Sequence, residues 1–304
     1  MMQLTKSEKS FRPGATAWIS CVCVLLATSA VALLGDRTAN SNDAVQVTIR
    51  PAVATALATA ALAADDKPAP GTGTFKGVVT FKGTPPARKV IVPKGDPKLK
   101  PEDREVCAAD DLVSDEFLVN EKAGNGVANV VIYLKKAPEG YKAPPEPTEP
   151  AVFDQKGCKF IPHVMAVRCN QKILIKSGDP VSHNTNITAL RNPPFNKVIP
   201  GNERDGVEWQ YPKPEGLPIP VKCDLHPWMK AHHLPLDHPF VAVTDEEGKF
   251  EIKDLPPGKH MFTVWHEVPG YVNSLNSKLA VEIKADGVTE EKMSFTAAQF
   301  KVGN

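Results

Sequence analysis

Residues 223–229 read Cys-Asp-Leu-His-Pro-Trp-Met, which spaces Cys223, His226 and Met229 three apart on one loop. Upstream, His183 closes the run Gly-Asp-Pro-Val-Ser-His. Together these residues offer one thiolate, two imidazoles and one thioether. Thiolate and thioether suit Cu(I), and imidazole suits both oxidation states. Two His and a Cys with a weak axial Met form the donor set of a type 1 copper centre. Ligands that hold nearly one geometry in both states leave little to reorganise when an electron moves. Three donors on one loop can turn to one ion, and the fourth has to come from elsewhere in the fold. His183 follows Ile173-Leu-Ile-Lys, expected as a strand beside the Cys223 strand, and Asp179-Pro180 places a turn before it. A metal-bound thiolate stays deprotonated at neutral pH, whereas a free Cys titrates at about 8.5.

Zinc also accepts two His and a Cys, but the Met favours copper. Pro227 removes a backbone donor and stiffens the loop, and Trp228 either packs beneath it or joins a docking surface. Among the other histidines, His163 falls in an alternating run and reads as core or sheet surface rather than ligand. His232, His233 and His238 follow the loop; a second, solvent-exposed copper-loading site there is the weaker reading. For His260 and His266, packing or exposure is the default. No His-x-His pair of the kind a trinuclear copper cluster uses occurs, and no Gly-x-Ser-x-Gly, phosphate-cradling or zinc-protease motif is present. The chain therefore reads as a binding or carrier protein rather than an enzyme.

The chain has 304 residues and a net charge of +1, so no nucleic acid or acidic polymer is implied as partner. At the N-terminus, Lys6, Lys9 and Arg12 precede an uncharged run from Ala15 to Leu34. As a helix rising about 1.5 Å per residue, that run could cross a bilayer. Residues 1–34 are expected to be a signal peptide or an uncleaved anchor, with the remainder exported to the periplasm or another extracytoplasmic space. The only membrane contact expected is through that segment. Export permits disulfides. Beyond the leader stand Cys107, Cys158, Cys169 and Cys223. If Cys223 holds a metal, at most one bridge forms. Cys107–Cys158 would close a loop of about 50 residues and stabilise by roughly 4 kcal/mol on the chain-entropy account; Cys107–Cys169 remains an alternative.

Residues 35–73 are rich in Ala, Thr, Pro and Asp and read as a linker. From Phe75 onward, short apolar runs bounded by Gly, Pro or Asp recur, so the expected class is all-β. Strands are expected at 75–81, 88–93, 127–134, 160–167, 172–176, 219–223, 234–236, 240–244, 248–252, 259–266 and 278–284. A helical turn is expected within 101–111, and a Pro-rich, solvated linker at 138–150. Pro235 implies an edge strand or a bulge after Met229.

Two resemblances follow from these residues. The segment from about 151 to 239, with Gly178-Asp-Pro-Val-Ser-His183-Asn184 and Cys223-x-x-His226-x-x-Met229, resembles the cupredoxin family and its amicyanin branch. Flanking it, Gly126-Val-Ala-Asn-Val-Val-Ile-Tyr-Leu and Thr244-Asp-Glu-Glu-Gly-Lys-Phe, with Leu255-Pro-Pro-Gly, look like a carboxypeptidase regulatory-like, transthyretin-like module. The resemblance implies a cupredoxin Greek-key sandwich, residues 151–239, inserted in or adjoining a second sandwich made of 74–150 and 240–304, with a hydrophobic N-terminal helix. It further implies one type 1 copper on His183, Cys223, His226 and Met229. Asn184 would make backbone contacts near the Cys sulfur, and the His226 edge would reach an apolar surface patch. The arrangement is similar to exported bacterial proteins often described as methylamine-utilisation or cupredoxin-like. The implied function is a one-electron carrier served by a redox partner protein, a dehydrogenase or a cytochrome. The alternatives are a non-redox carbohydrate- or protein-binding module, and a copper carrier or sensor.

Overall fold

In chain order, β1 (Gly73–Lys82), β2 (Val90–Val92), helix α1 (Pro101–Cys107), β3 (Leu112–Val113), β4 (Val119–Asn120), β5 (Gly126–Val127) and β6 (Val131–Leu134) come first. Next come β7 (Ala151–Gln155), β8 (Phe160–Ile161), β9 (Val164–Arg168), β10 (Ile173–Ile175), β11 (His183–Ile187), β12 (Phe195–Ile199), β13 (Val207–Trp209), β14 (Ile219–Lys222) and β15 (Lys230–Leu236). The last group is β16 (Val241–Val243), β17 (Lys249–Leu255), β18 (Gly258–His266), β19 (Gly270–Tyr271), β20 (Lys278–Ile283), β21 (Val288–Thr296) and the single turn α2 (Ala297–Phe300). The protein is all-β. The structure is a computed structural model that describes residues 69–272 and 278–302. The apolar N-terminal run and most of the linker after it lie outside those residues. Among the described residues no helix is long and apolar enough to cross a membrane.

The first and last groups of strands share sheets. β1 pairs with β17 antiparallel and with β21 in parallel from Thr74 to Lys82, while β6 lies between β16 and β18. These two sheets face each other across Phe75, Val79, Ile132, Phe250, Phe262 and Met293. They form an outer sandwich. Its sequence signals have visible causes. Thr244 donates its hydroxyl to the Val127 carbonyl at 2.7 Å and accepts the Val130 N–H at 2.9 Å. Asp245 accepts the N–H groups of Glu247 and Lys249 at 2.9 and 2.8 Å, closing a turn. Gly248 ends that turn at φ +76°, and a Cβ there would come within 2.2 Å of the Val79 carbonyl, so glycine alone fits.

The middle group forms an inner sandwich. One sheet runs β13-β10-β7-β8 and the other β12-β11-β14-β15-β9. Phe153, Ile173 and Ile175 of the first meet Ile187, Val221 and Ala231 of the second. β6 explains how the sandwiches join. Ile132 and Leu134 face the outer core, while Val131 and Tyr133 pack with Val164, Leu234, Leu236 and Trp265 in a third cluster. All four residues of β6 are buried, hence its unbroken apolar run, since a strand covered on both faces has no reason to alternate.

Several elements differ from expectation. Part of the stretch between β1 and β4 leaves the outer sandwich, and Leu99, Val106 and Cys107 pack on the inner core instead, before Phe117 returns to the outer core. The expected linker contains Tyr141, whose ring lies 4.6 Å from Phe240 in the outer core. β21 was not anticipated, because its first half, Val-Thr-Glu-Glu-Lys, reads as a solvated turn. β15 is not an edge strand. It pairs with β14 through His233 and with β9 through Leu236. Pro235 lies beyond the end of β14, and its carbonyl, on the side away from β9, accepts the Glu215 N–H. The missing proline donor therefore breaks no ladder bond.

His266 sits in the outer core between Phe117 and Phe300, with ring centres 5.6 and 5.3 Å away. Burial, with smaller contributions from His163 and His232, lowers its pKa to about 3. The folded protein thus refuses a proton that the unfolded chain accepts below about pH 6.5. Stability on this account is full above that pH and falls as pH drops toward 3. Replacing His266 with Phe should reduce the stability lost between pH 7 and pH 4 by up to about 3 kcal/mol, at about 1.4 kcal/mol per pKa unit. Urea midpoints of the two proteins across that range measure it; parallel curves would refute the assignment.

Candidate metal centre

The ligand loop is a tight connection between β14 and β15. The Cys223 N–H donates to the Met229 carbonyl at 3.2 Å, and the Met229 N–H donates to the His226 carbonyl at 2.8 Å. This folds Cys223, His226 and Met229 onto one side of the turn, where they are 1%, 2% and 1% exposed. His183 does not come from the β10 sheet. It opens β11, whose Asn186 and Ile187 pair with Lys222 and Val221 at the end of β14. The strand that delivers His183 therefore adjoins the strand that delivers Cys223.

The donors converge. His183 Nδ1 and His226 Nδ1 lie 2.8 Å apart, and Cys223 Sγ is 3.8 Å from His226 Nδ1. The three donor atoms lie within 4.8 Å of one another. The His226 and Asn184 N–H groups point at Sγ from 3.3 and 3.4 Å. The Asn184 side chain accepts the Asp224 and Leu225 N–H groups at 2.6 and 3.2 Å, tying β11 to the loop. Burial alone would push the Cys223 thiol up. The contacts with His183 and His226 and the two backbone N–H groups outweigh it and hold the pKa at about 6. Burial alone would push His183 down, but Asp179 and Cys223 outweigh it and raise it to about 9.

Asp179 is the partner that sequence reasoning missed. Its carboxylate lies 2.8 Å from His183 Nε2 and accepts the Gly157 and Cys158 N–H groups at 2.7 and 2.9 Å. A carboxylate on the outer nitrogen fixes which ring nitrogen faces a metal. The Gly-Asp-Pro-x-x-His spacing held that signal, but it suggested only a turn. Gly201 lets the loop close, because a Cβ there would lie 2.2 Å from the Pro180 carbonyl.

The outer edge of His226 is not at the surface. Helix α1 covers it, and Asp103 Oδ1 stands 3.3 Å from Nε2, out of line for a hydrogen bond. A disulfide from Cys107 to Cys158 fastens α1 to the inner sandwich, while Cys169 is free and buried. Trp228 is half-buried, with its ring 5.1 Å from His226, and it packs on the inner core. Leu225 and Pro227 remain exposed.

The histidines that follow the loop do not gather at the surface. His233 is fully buried, 2.9 Å from the Tyr211 hydroxyl, and His238 is buried against Phe240. With His232 they form no exposed cluster, so the loading site considered from sequence is not built. His260 contacts the Pro256 carbonyl at 2.7 Å. His163 meets Glu267 of the outer sandwich rather than solvent or core.

No protein-family model matches this chain, and no curated protein matches it. Among solved structures, amicyanin from Paracoccus versutus is 10% identical over 36% of this chain and 99% of its own, at a TM-score of 0.26. A purple cupredoxin from Nitrosopumilus maritimus is 14% identical over 28% of this chain and 99% of its own, at 0.24. A copper-containing nitrite reductase from Thermus scotoductus is 20% identical over 33% of this chain, at 0.26, and this chain spans only 25% of its length. Likeness of this size carries no functional argument, so the donor set has to carry it.

The cap yields a prediction. Exchanging Cys107 and Cys158 for Ser should cost about 4 kcal/mol for a sequence separation of 51. It should also release α1, so that Cys223 of the metal-free protein reacts faster with a thiol reagent under native conditions. Chemical denaturation and stopped-flow thiol titration measure the two effects. Unchanged reactivity would mean that α1 does not guard the site.

Proposed function

We propose that this protein is an exported one-electron carrier holding a single copper ion on His183, Cys223, His226 and Met229. The observation that carries the reading is the convergence of two imidazole Nδ1 atoms and a thiol sulfur at one buried point. The donor types fit the ion. Two N–H groups and two imidazoles favour thiolate over thiol, and Asp179 holds the imidazole of His183 by its other nitrogen. Met229 ends the same loop and supplies a thioether, the usual weak fourth ligand. Copper bound there would accept and release one electron. The protein's part is to keep water out, through α1 and the inner core, and to keep the ligands from moving. Asn184 does so by bonding two loop N–H groups, and Pro227 by stiffening the turn.

A redox partner protein, a dehydrogenase or a cytochrome, would dock over Leu225, Pro227 and α1, because the His226 edge itself is covered. The disulfide supports export to an oxidising space, periplasmic or otherwise extracytoplasmic. The outer sandwich is read as the regulatory-like, transthyretin-like module. Its parallel β1–β21 edge and Thr244-Asp-x-x-Gly turn support that reading. A copper carrier or sensor is the second reading, and the covered His226 favours it, since a partner finds no open imidazole.

Adding Cu(II) to the full chain should give an intense visible thiolate-to-copper band that Cys223→Ser abolishes. Met229→Leu should keep the colour and shift the reduction potential, because the axial ligand tunes it. A folded protein with reduced Cys223 and no band would end the electron-carrier reading. A band that a mild chelator removes within seconds would favour the carrier or sensor.

A further inference from the structure

Two histidines and a glutamate meet where the sandwiches touch. The His232 N–H donates to the His163 carbonyl at 2.9 Å, so the parallel pairing of β15 with β9 sets the two imidazoles side by side. Their ring centres lie 6.4 Å apart. Glu267 arrives from the outer sandwich, just past the end of β18. One of its oxygens contacts His163 Nε2, and the other lies 3.8 Å from His232 Nδ1. The side chains of His163, His232 and Glu267 are 13%, 15% and 7% exposed. One donor atom from each falls within 4.8 Å of the others.

A plain His–Glu hydrogen bond explains only half of this arrangement. It accounts for His163 and one carboxylate oxygen. His232 Nδ1 stays buried without a hydrogen-bond partner, facing the second oxygen. Two donors on one tetrahedral ion, with bonds of about 2.0–2.2 Å, lie about 3.4 Å apart; the 3.8 Å between Glu267 and His232 Nδ1 is near that, while the direct Glu267–His163 contact is shorter and has to open to admit an ion. The set holds no thiolate or thioether, and its carboxylate is a hard oxygen donor, so nothing in it selects Cu(I). Two imidazoles and one carboxylate, with a fourth position left to water, are a set that zinc uses.

We propose that His163, His232 and Glu267 form a second metal site, for Zn(II), that staples the inner sandwich to the outer one. The position gives the staple a consequence. β15 begins at Lys230, immediately after Met229, so an ion on His232 fixes the strand that leaves the ligand loop. His163 also lines a cleft with Pro227, Trp228 and Met229. The second site thus anchors one end of the first without sharing a ligand with it.

The test uses the full chain carrying Cys223→Ser and His226→Ala, which removes donors of the first site, titrated with zinc against a chromophoric chelator. One equivalent should bind at micromolar affinity or tighter and raise the thermal midpoint. Adding Glu267→Gln should weaken zinc binding by at least about tenfold, the size seen even for outer-shell partners, and should abolish the thermal gain. His163→Gln, with its own midpoint in chelator matched to the parent, guards against a folding artefact and should do the same. Zinc affinity unchanged by both substitutions, or a parent that binds no zinc, would overturn the proposal.

Discussion

A carboxylate buried to 4% exposure survives as an anion only if donors surround it, and Asp179 gathers three of them from two places. It takes two backbone N–H groups from the turn after β7 and contacts His183 across the β10–β11 connection. Burial alone would raise the Asp179 pKa, yet His183 and the two N–H groups outweigh it and lower it below the usual carboxylate range. The charge it keeps is what raises His183 and leaves Nδ1 aimed at His226. The orientation of the first imidazole therefore depends on a carboxylate that would bind no metal itself.

The same turn serves the cap. Cys158, whose N–H reaches Asp179, is the residue that the disulfide joins to α1. One short segment thus holds the outer nitrogen of His183 through a carboxylate and the cover over His226 through sulfur. One turn therefore bears on both imidazoles, on His183 through Asp179 and on His226 through the helix that the disulfide ties down. The segment that carries α1 leaves the outer sandwich between β1 and β4 to reach that point, which explains why this stretch has so little regular structure of its own.

Much of this was legible in the residues. The donor spacing named the loop, and period-two runs bounded by Gly and Pro gave an all-β chain. The flanking signals Gly126 to Leu134 and Thr244 to Phe250 mark strands and turns whose hydrogen bonds are now visible. What escaped was long-range or disguised. Asp179 looked like a turn residue because a contact four residues along reads as a pair only inside a helix. α1, with four charges in seven residues, carried the pattern of a solvated turn, and its burial shows only in Cys107. β21 failed to register because its charged half lies on an edge, where only Met293 and Phe295 need cover.

The buried His226 bears on how a carrier of this design would work. An open imidazole edge favours close approach of a partner but admits water, whose reorientation adds to the cost of moving charge. Covering that edge with α1 lowers the local dielectric and strengthens every fixed charge near it. Asp103 is then the nearest such charge, 3.3 Å from the ring nitrogen, and a carboxylate there favours the more positive state of the site. In such a carrier the cap would exchange access for control: it would lengthen the route for an incoming electron and, through one side chain, bear on how strongly the site attracts it.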